Sequence, residues 1–396
     1  MEEWGFLLVD ARNAFNEGNS TAILWTVRHL WPSGARFTFN CYRHWSTLMI
    51  RSDGGKSLFL HSQEGVTQGD PLAMVAYGIL LLPLIKSLKE EIPDVDQPWY
   101  ADDAGAGGKF NRLRRYFEKL QEMGPSRGYF PEPSKSILIV KEHNREAAEK
   151  EFADLGFTIV TGSRYLGGFI GEKSEQLNWV RDRVENWVAA IDELAKVADR
   201  FPQSAYAGLQ KSLQMEWQFL QRVTEGLSGE FQEIQQALQK KFLPALFGDL
   251  IPDNTPEQLA GLPVKKAGLA ILNPIESAKS NWMASTVICG HLVAAIRGTV
   301  EFNSTEHRDT MAVGKSEYKE RNLMAAQTKL NAILKELPDG RSRTIKRGQK
   351  TGAWLSVLPS TVNGTELSAQ ELRDALFMRY AMESNHQTSP QNVMDV

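Results

Sequence analysis

Tyr100-Ala101-Asp102-Asp103-Ala104-Gly105 is the stretch on which the fold of this chain turns. Two adjacent carboxylates follow an aromatic pair, Trp99-Tyr100, and lead into a glycine-rich run at Gly105, Gly107 and Gly108, a pattern that predicts strand, tight turn, strand. Upstream, Phe6-Leu7-Leu8-Val9 is a short continuous apolar run ending at Asp10, as in a buried strand that delivers a carboxylate at its tip. Three carboxylates from two separate elements have one strong chemical use. Holding two Mg²⁺ ions ~3.5–4 Å apart for an in-line phosphoryl displacement requires hard oxygen ligands from different segments. Taken alone, Asp102-Asp103 also reads as a plain acidic turn, since Asp is common in turns.

The composition bounds the rest. At 396 residues the chain has room for two or three domains, and 31 Gly with 17 Pro is close to the globular average. Hydrophobic residues at 42% and charged residues at 23% exclude a disordered chain. The net charge of −3 means that any polyanion site must be a local patch. Cys41 and Cys289 are the two cysteines, too few for a disulfide framework or a four-thiolate zinc site. The most apolar stretch, Leu72 to Ile85, is interrupted by Pro83 and falls short of the ~20 residues that cross a bilayer, so no membrane is expected. Glu2 and Glu3 stand where a secretory signal would carry positive charge. The chain therefore reads as intracellular, in nucleus or cytoplasm, and not secreted.

Working along the sequence, residues 36–61 alternate aromatic or β-branched with polar residues around a turn at Asp53-Gly54-Gly55, which predicts a hairpin or sheet extension. Asp70-Pro71 reads as a helix cap followed by Pro, opening an apolar helix to about Leu88. A helix is expected over Arg112–Met123, strands over Ser136–Val140 and Phe157–Val160, and a hairpin at Tyr165–Ile170. From Glu175 to Lys241 apolar residues recur at three- and four-residue spacing, with Pro202 and Gly226 as breaks. Pro244–Pro274, rich in Pro and Gly, reads as a boundary, and more helix follows to about Leu337. Arg341, Arg343, Lys346, Arg347 and Lys350 form the clear basic cluster, 341–350, a nucleic-acid arm, a nuclear targeting patch or a solvated loop.

Five segments occur in a telling order: Asp10-Ala11-Arg12-Asn13-Ala14-Phe15, Gly65-Val66-Thr67-Gln68-Gly69-Asp70-Pro71-Leu72, Tyr100-Ala101-Asp102-Asp103, Pro133-Ser134-Lys135-Ser136 and Tyr165-Leu166-Gly167-Gly168. Together they resemble the palm of a reverse transcriptase, most of all that of non-LTR retrotransposons, over about residues 4–173. The resemblance implies an α+β fold with a right-hand polymerase palm, an antiparallel sheet packed on helices. Residues 1–173 would be the palm, 174–243 an all-helical thumb, and 244–396 a mostly helical C-terminal connection region. It implies an RNA-directed DNA polymerase acting on an RNA template, a DNA primer and deoxynucleoside triphosphates (dNTPs), with two Mg²⁺ ions or, in their place, Mn²⁺.

Residue by residue, the resemblance makes Asp10, Asp102 and Asp103 the metal carboxylates, with the Ala11 carbonyl as an extra ligand. Phe15 becomes the ring that leaves no room for a 2′-hydroxyl; a core aromatic beside a strand end is the alternative. Gln68 and Gly69 fit the loop against the nascent base pair, and Tyr100 stands beside the substrate. Lys135 would serve the leaving pyrophosphate, unless it is simply a solvated lysine. Gly167 and Gly168 would grip the primer, though a plain β-turn also needs them. In the helical stretch Arg181, Arg183, Lys196, Arg200 and Lys211 could meet phosphates, or form a solvated face with the interleaved acids.

The sequence also departs from the family. Nine residues precede Asp10, so most of a fingers region is expected to be missing, to be supplied by a partner or a longer N-terminus. Asn16 stands where many relatives carry a second aspartate. Two readings therefore stay open: a polymerase palm and thumb from a truncated retroelement, and a catalytically inactive remnant that only binds nucleic acid.

Overall fold

The structure is a computed structural model describing residues 3–51, 54–248 and 253–382; Glu2 and Asp53, used above, lie outside that range. The chain forms two compact units. One comprises residues 1–165, 169–176 and 296–299, the other 166–168, 177–295 and 300–396.

The first unit runs β1 (Trp4–Val9), α1 (Ala14–Glu17), α2 (Ser20–Leu30), α3 (Pro32–Tyr42), β2 (Ser46–Arg51), β3 (Ser57–Ser62), α4 (Ala73–Glu91), β4 (Trp99–Tyr100), β5 (Asp103–Lys109), α5 (Phe110–Met123), β6 (Ile137–Val140), α6 (Arg145–Glu151), β7 (Thr158–Val160), β8 (Gly162–Tyr165) and β9 (Gly168–Gly171), and the start of α7 (Lys173–Arg200). Its sheet has the order β4-β5-β1-β6-β7. It is mixed, not the antiparallel sheet expected: β6 and β7 run parallel, because α6 carries the chain back over the sheet between them. Alternation along β1 sends Gly5, Leu7 and Val9 inward, where Leu7 and Val9 meet Tyr77, Leu80 and Leu84 of α4 and Leu113 and Phe117 of α5 in one core. On the other face Phe6 and Trp4 lie across the β5 glycines. A Cβ on Gly105 would stand 2.8 Å from the Phe6 ring, and one on Gly107 3.3 Å from both rings. The glycine run is thus a groove for aromatic rings.

Two elements differ from expectation. Residues 36–42 are helical, in α3, because Pro32 opens a helix whose Gly34 and Thr38 face inward; β2 and β3 then pair with each other and stand apart from the main sheet. Helix α4 begins at Ala73, and Asp70 closes the turn before it, its carboxylate accepting from the Leu72 N–H at 2.8 Å and from the Tyr42 hydroxyl.

In the second unit, segments read separately as 174–243 and 244–396 share one core, where Trp187, Trp217 and Phe242 join Phe247, Leu259, Leu330 and Tyr380. Pro244–Pro274 contributes Leu246, Leu262 and Leu269 to that core. Gly268 packs on the Leu262 carbonyl with no room for a Cβ, and the buried Arg379 guanidinium donates to Gly348 O at 2.7 Å and Val264 O at 2.8 Å. The basic stretch 341–350 is mostly a helix, Asp339–Gly348, and Arg341 is bound to Asp253 and to the Tyr380 carbonyl. Among the described residues no helix is long and apolar enough to cross a membrane.

Candidate functional site

Strand register builds the site. Val9 pairs with Ala104 across β1 and β5, so Asp10, the next residue, and Asp103, the preceding one, leave adjacent strands at the same end of the sheet. On the other side of β5, Tyr100 pairs with Asp103, leaving Ala101 and Asp102 as a two-residue turn. That turn forces Ala101 to φ +55°, a left-handed conformation. The three carboxylates therefore gather without any long loop. Asp103 registers their proximity: its carboxyl is held above its ordinary value, first by burial and then by the negative charges of Asp102 and Asp10.

Asp10 is fixed from a third segment. Its N–H donates to Ser136 Oγ at 3.3 Å, its carbonyl accepts from Glu132 N at 2.8 Å, and Arg12 N donates to Phe130 O at 2.9 Å. None of these bonds uses the Ala11 carbonyl. The Pro133–Lys135 turn is consequently pinned beside Asp10, with Lys135 exposed and in no ion pair with another described residue. Arg12 is paired with Glu17 at 3.0 Å, and each holds the other's charged form.

The half-buried Phe15 ring lies 4.6 Å from the buried ring of Tyr77. Gly65 N and Val66 N donate to Gly18 O and Phe15 O at 2.7 and 2.8 Å, which attaches the Gln68 loop to the same backbone. A Cβ on Gly65 would sit 2.3 Å from the Phe15 carbonyl, so this close approach requires glycine. Gln68 is exposed, and Gly69, at φ +93°, borders open space. Tyr100 is 60% exposed. Gly167 lies with Leu166 in the left-handed turn of the β8–β9 hairpin, and Gly168 opens β9; the turn residues 166–168 group with the second unit, where the Phe219 ring crowds Gly167. In that unit Arg181 is paired with Glu230, Lys196 with Glu193, and Arg183 lies over the Trp179 ring.

Sequence reasoning missed three tyrosines near the carboxylates, Tyr77 and Tyr129 in the core and Tyr165 on the Phe6 side of the sheet. The hydroxyls of Tyr77, Tyr129 and Tyr165 are buried and make no hydrogen bond among the described residues. Burial raises all three above the ordinary phenol range, with added push from Asp102 on Tyr77, from Tyr116, Tyr77, Asp102 and Asp10 on Tyr129, and from Asp103 on Tyr165. The bonds of Asp10 to Ser136 and Glu132 were missed too, although Ser136 stands in the quoted Pro133–Ser136 segment, since a serine and a carbonyl leave no pattern at a distance of over a hundred residues.

Which ions could such a site hold? The donors are hard carboxylate oxygens, suited to Mg²⁺ or Mn²⁺. Among the described residues no three His, Cys, Asp or Glu side chains surround a single point as a finished metal cage.

No protein-family model matches the chain, and no curated protein matches it. Among solved structures it is similar to telomerases. Against apo telomerase from Candida tropicalis truncated from the C-terminal domain, identity is 15% with a TM-score of 0.33, covering 42% of this chain and 34% of that one. Against Candida albicans telomerase in complex with a TWJ fragment of telomeric RNA, identity is 9% and the TM-score 0.35, covering 79% and 51%. Apo telomerase from Candida tropicalis gives 12% and 0.33, covering 89% and 54%. The chain thus spans between about a third and about half of the length of these proteins. TM-scores of this size do not carry a shared fold, so function has to be argued from the residues of the site itself.

Proposed function

We propose that the first unit is the palm of an RNA-directed DNA polymerase of retroelement type, and that Asp10, Asp102 and Asp103 hold two Mg²⁺ ions. The observation that supports this reading is the register of Val9 with Ala104, which sets the three carboxylates at one sheet end and concentrates negative charge there. When bound, the ions would polarise the attacking and leaving oxygens of an in-line displacement. In the reaction, the 3′-hydroxyl of a primer gives up its proton to solvent and attacks the α-phosphate of a dNTP; a P–O bond forms, the α–β bridge breaks, and pyrophosphate leaves.

The chain's own residues set the geometry. Ser136 and the Glu132 backbone hold Asp10 in line with β1. The Phe15 ring, supported from behind by Tyr77, stands where a 2′-hydroxyl would have to fit. The Gln68-Gly69 backbone, open on its outer side, lets a base pair approach closely. Lys135, exposed on the turn beside Asp10, balances the charge of departing pyrophosphate.

The test is primer extension by the full chain on a primed RNA template with dNTPs and Mg²⁺ or Mn²⁺. Extension by a few nucleotides is expected, abolished by chelation and by Asp102→Asn while far-UV circular dichroism stays unchanged. No extension under either metal, or extension that survives Asp102→Asn, would overturn the assignment and leave the non-catalytic nucleic-acid-binding reading.

A further inference from the structure

Residues 20–62 carry Arg28, Arg36, Arg43, Arg51 and Lys56 against one acid, Asp53, in a chain whose net charge is −3. The proposed chemistry uses none of these cations. Within this stretch the β2–β3 ribbon pairs only with itself among the described residues, and every residue of both strands is exposed.

The register sorts the ribbon into two unlike faces. Leu48 opposite Leu60 and Ile50 opposite Leu58 make one aliphatic face. Thr47 opposite His61, Met49 opposite Phe59 and Arg51 opposite Ser57 make the other. Trp45 continues that second face, its ring 6.3 Å from that of His61. Trp45 and Phe59 are 63% and 59% exposed, and Arg51 and Lys56 form no ion pair with another described residue. Bare aromatic rings are costly in water, and with Arg51 on the same face they match an unpaired nucleic-acid strand, whose bases stack on rings and whose phosphates meet cations. Same-face neighbours along a strand are ~6.8 Å apart, comparable with one nucleotide step of an extended strand. A duplex hides its base faces and offers the rings nothing.

We propose that this face docks single-stranded RNA, with bases on Trp45 and Phe59 and a phosphate on Arg51. The choice of RNA over DNA rests on the RNA-templated reading above; the stacking geometry stands apart from it.

The test is fluorescence anisotropy of the full chain with a fluorescein-labelled oligouridine of about 12 nucleotides, in EDTA so that no metal bridges RNA to the carboxylates. Trp45→Ala and Phe59→Ala are each expected to weaken binding about tenfold, and Trp45→Phe to retain most of it. Arg51→Ala should reduce the salt slope by about 0.7. Leu48→Ser, on the opposite face, should bind as the unaltered chain does. Unchanged binding in both alanine variants overturns the proposal, as does equal competition by duplex RNA. A loss in Leu48→Ser equal to that in Phe59→Ala overturns it in favour of a protein-binding or structural ribbon, and equal affinity for oligothymidine overturns the assignment to RNA. Because binding is read without metal, a chain that fails to extend primers still gives a clear result here.

Discussion

The backbone N–H of Asp10 donates to the hydroxyl of Ser136 at 3.3 Å, joining residues 126 positions apart. Ser136 is fully buried and its hydroxyl also donates to Glu132 O at 2.9 Å, so one side chain ties the end of β1 to the Pro133–Lys135 turn. The backbone at Asp10 is fixed by that tie.

Ser136→Ala is therefore expected to destabilise the chain by about 1 kcal/mol, the usual worth of a buried hydrogen bond, and to lower the extension rate more than that loss of folded protein explains. Urea midpoints and kcat measured side by side check this. A rate that follows the folded fraction alone would mean Asp10 does not need the tie.

Gly105→Ala places a methyl group 2.8 Å from the Phe6 ring, which is itself held 5.7 Å from the Tyr165 ring in an edge-on contact. The expected cost is about 1–3 kcal/mol from overpacking. Adding Phe6→Leu should recover part of it, whereas an additive double variant would show that the clash lies elsewhere.

Phe15→Ala is expected to raise incorporation of ribonucleotides relative to deoxynucleotides, because the space beside the sugar opens while Tyr77 stays in place. Competition between the two nucleotide types in one extension reaction measures the ratio. An unaltered ratio, with a fall in thermal stability, would make the ring a core contact alone.

How far the sequence revealed all this depends on the range of each signal. The strand ending at Asp10 and the turn at Asp102 were legible because apolar runs and turn chemistry are local, whereas the register of β1 on β5 is a long-range pairing that neither signal reports. Helix α3 was not. Phe37-Thr38-Phe39 alternates like a strand, yet Gly34 lies under the Trp31 ring and Thr38 faces inward, so a helical face was buried. The parallel partner of β6 depends on a crossover helix, and the tyrosines near the carboxylates on packing between remote elements. Arg341, read within a basic cluster, is consumed by an acid that lies far away in sequence.

Asp253 offers a pH test of that contact. Arg341 holds its carboxyl down at about 2 from an ordinary 3.8. A depressed carboxylate contributes stability that is fully present above the ordinary value and is lost as pH falls toward about 2. Discounted for partial exposure, the contribution is about 1 kcal/mol. Asp253→Asn should thus be less stable than the unaltered chain at neutral pH, and the gap should close between about pH 4 and pH 2. Equal pH dependence of the two urea midpoints would remove the pair from the stability of the second unit.

Asp103 runs the other way. Its raised carboxyl means that ionisation is opposed by burial and by Asp102 and Asp10, so the stability linked to it is present at low pH and lost as pH rises through the shifted value. At neutral pH the three carboxylates repel one another, and a divalent cation between them offsets that repulsion. Mg²⁺ or Mn²⁺ should therefore raise Tm at neutral pH in the unaltered chain, and raise it much less in Asp103→Asn, which without metal should melt slightly higher. Affinity for Mn²⁺, followed by its paramagnetic resonance signal, should fall on acidification, from a higher pH than an unperturbed aspartate would give, because a protonated Asp103 is no ligand. In Asp102→Asn the residual binding should be weaker but lose its pH dependence at lower pH, since one of the two like charges acting on Asp103 is gone. A Tm insensitive to metal in all three proteins would show that the carboxylates share a sheet end without sharing an ion.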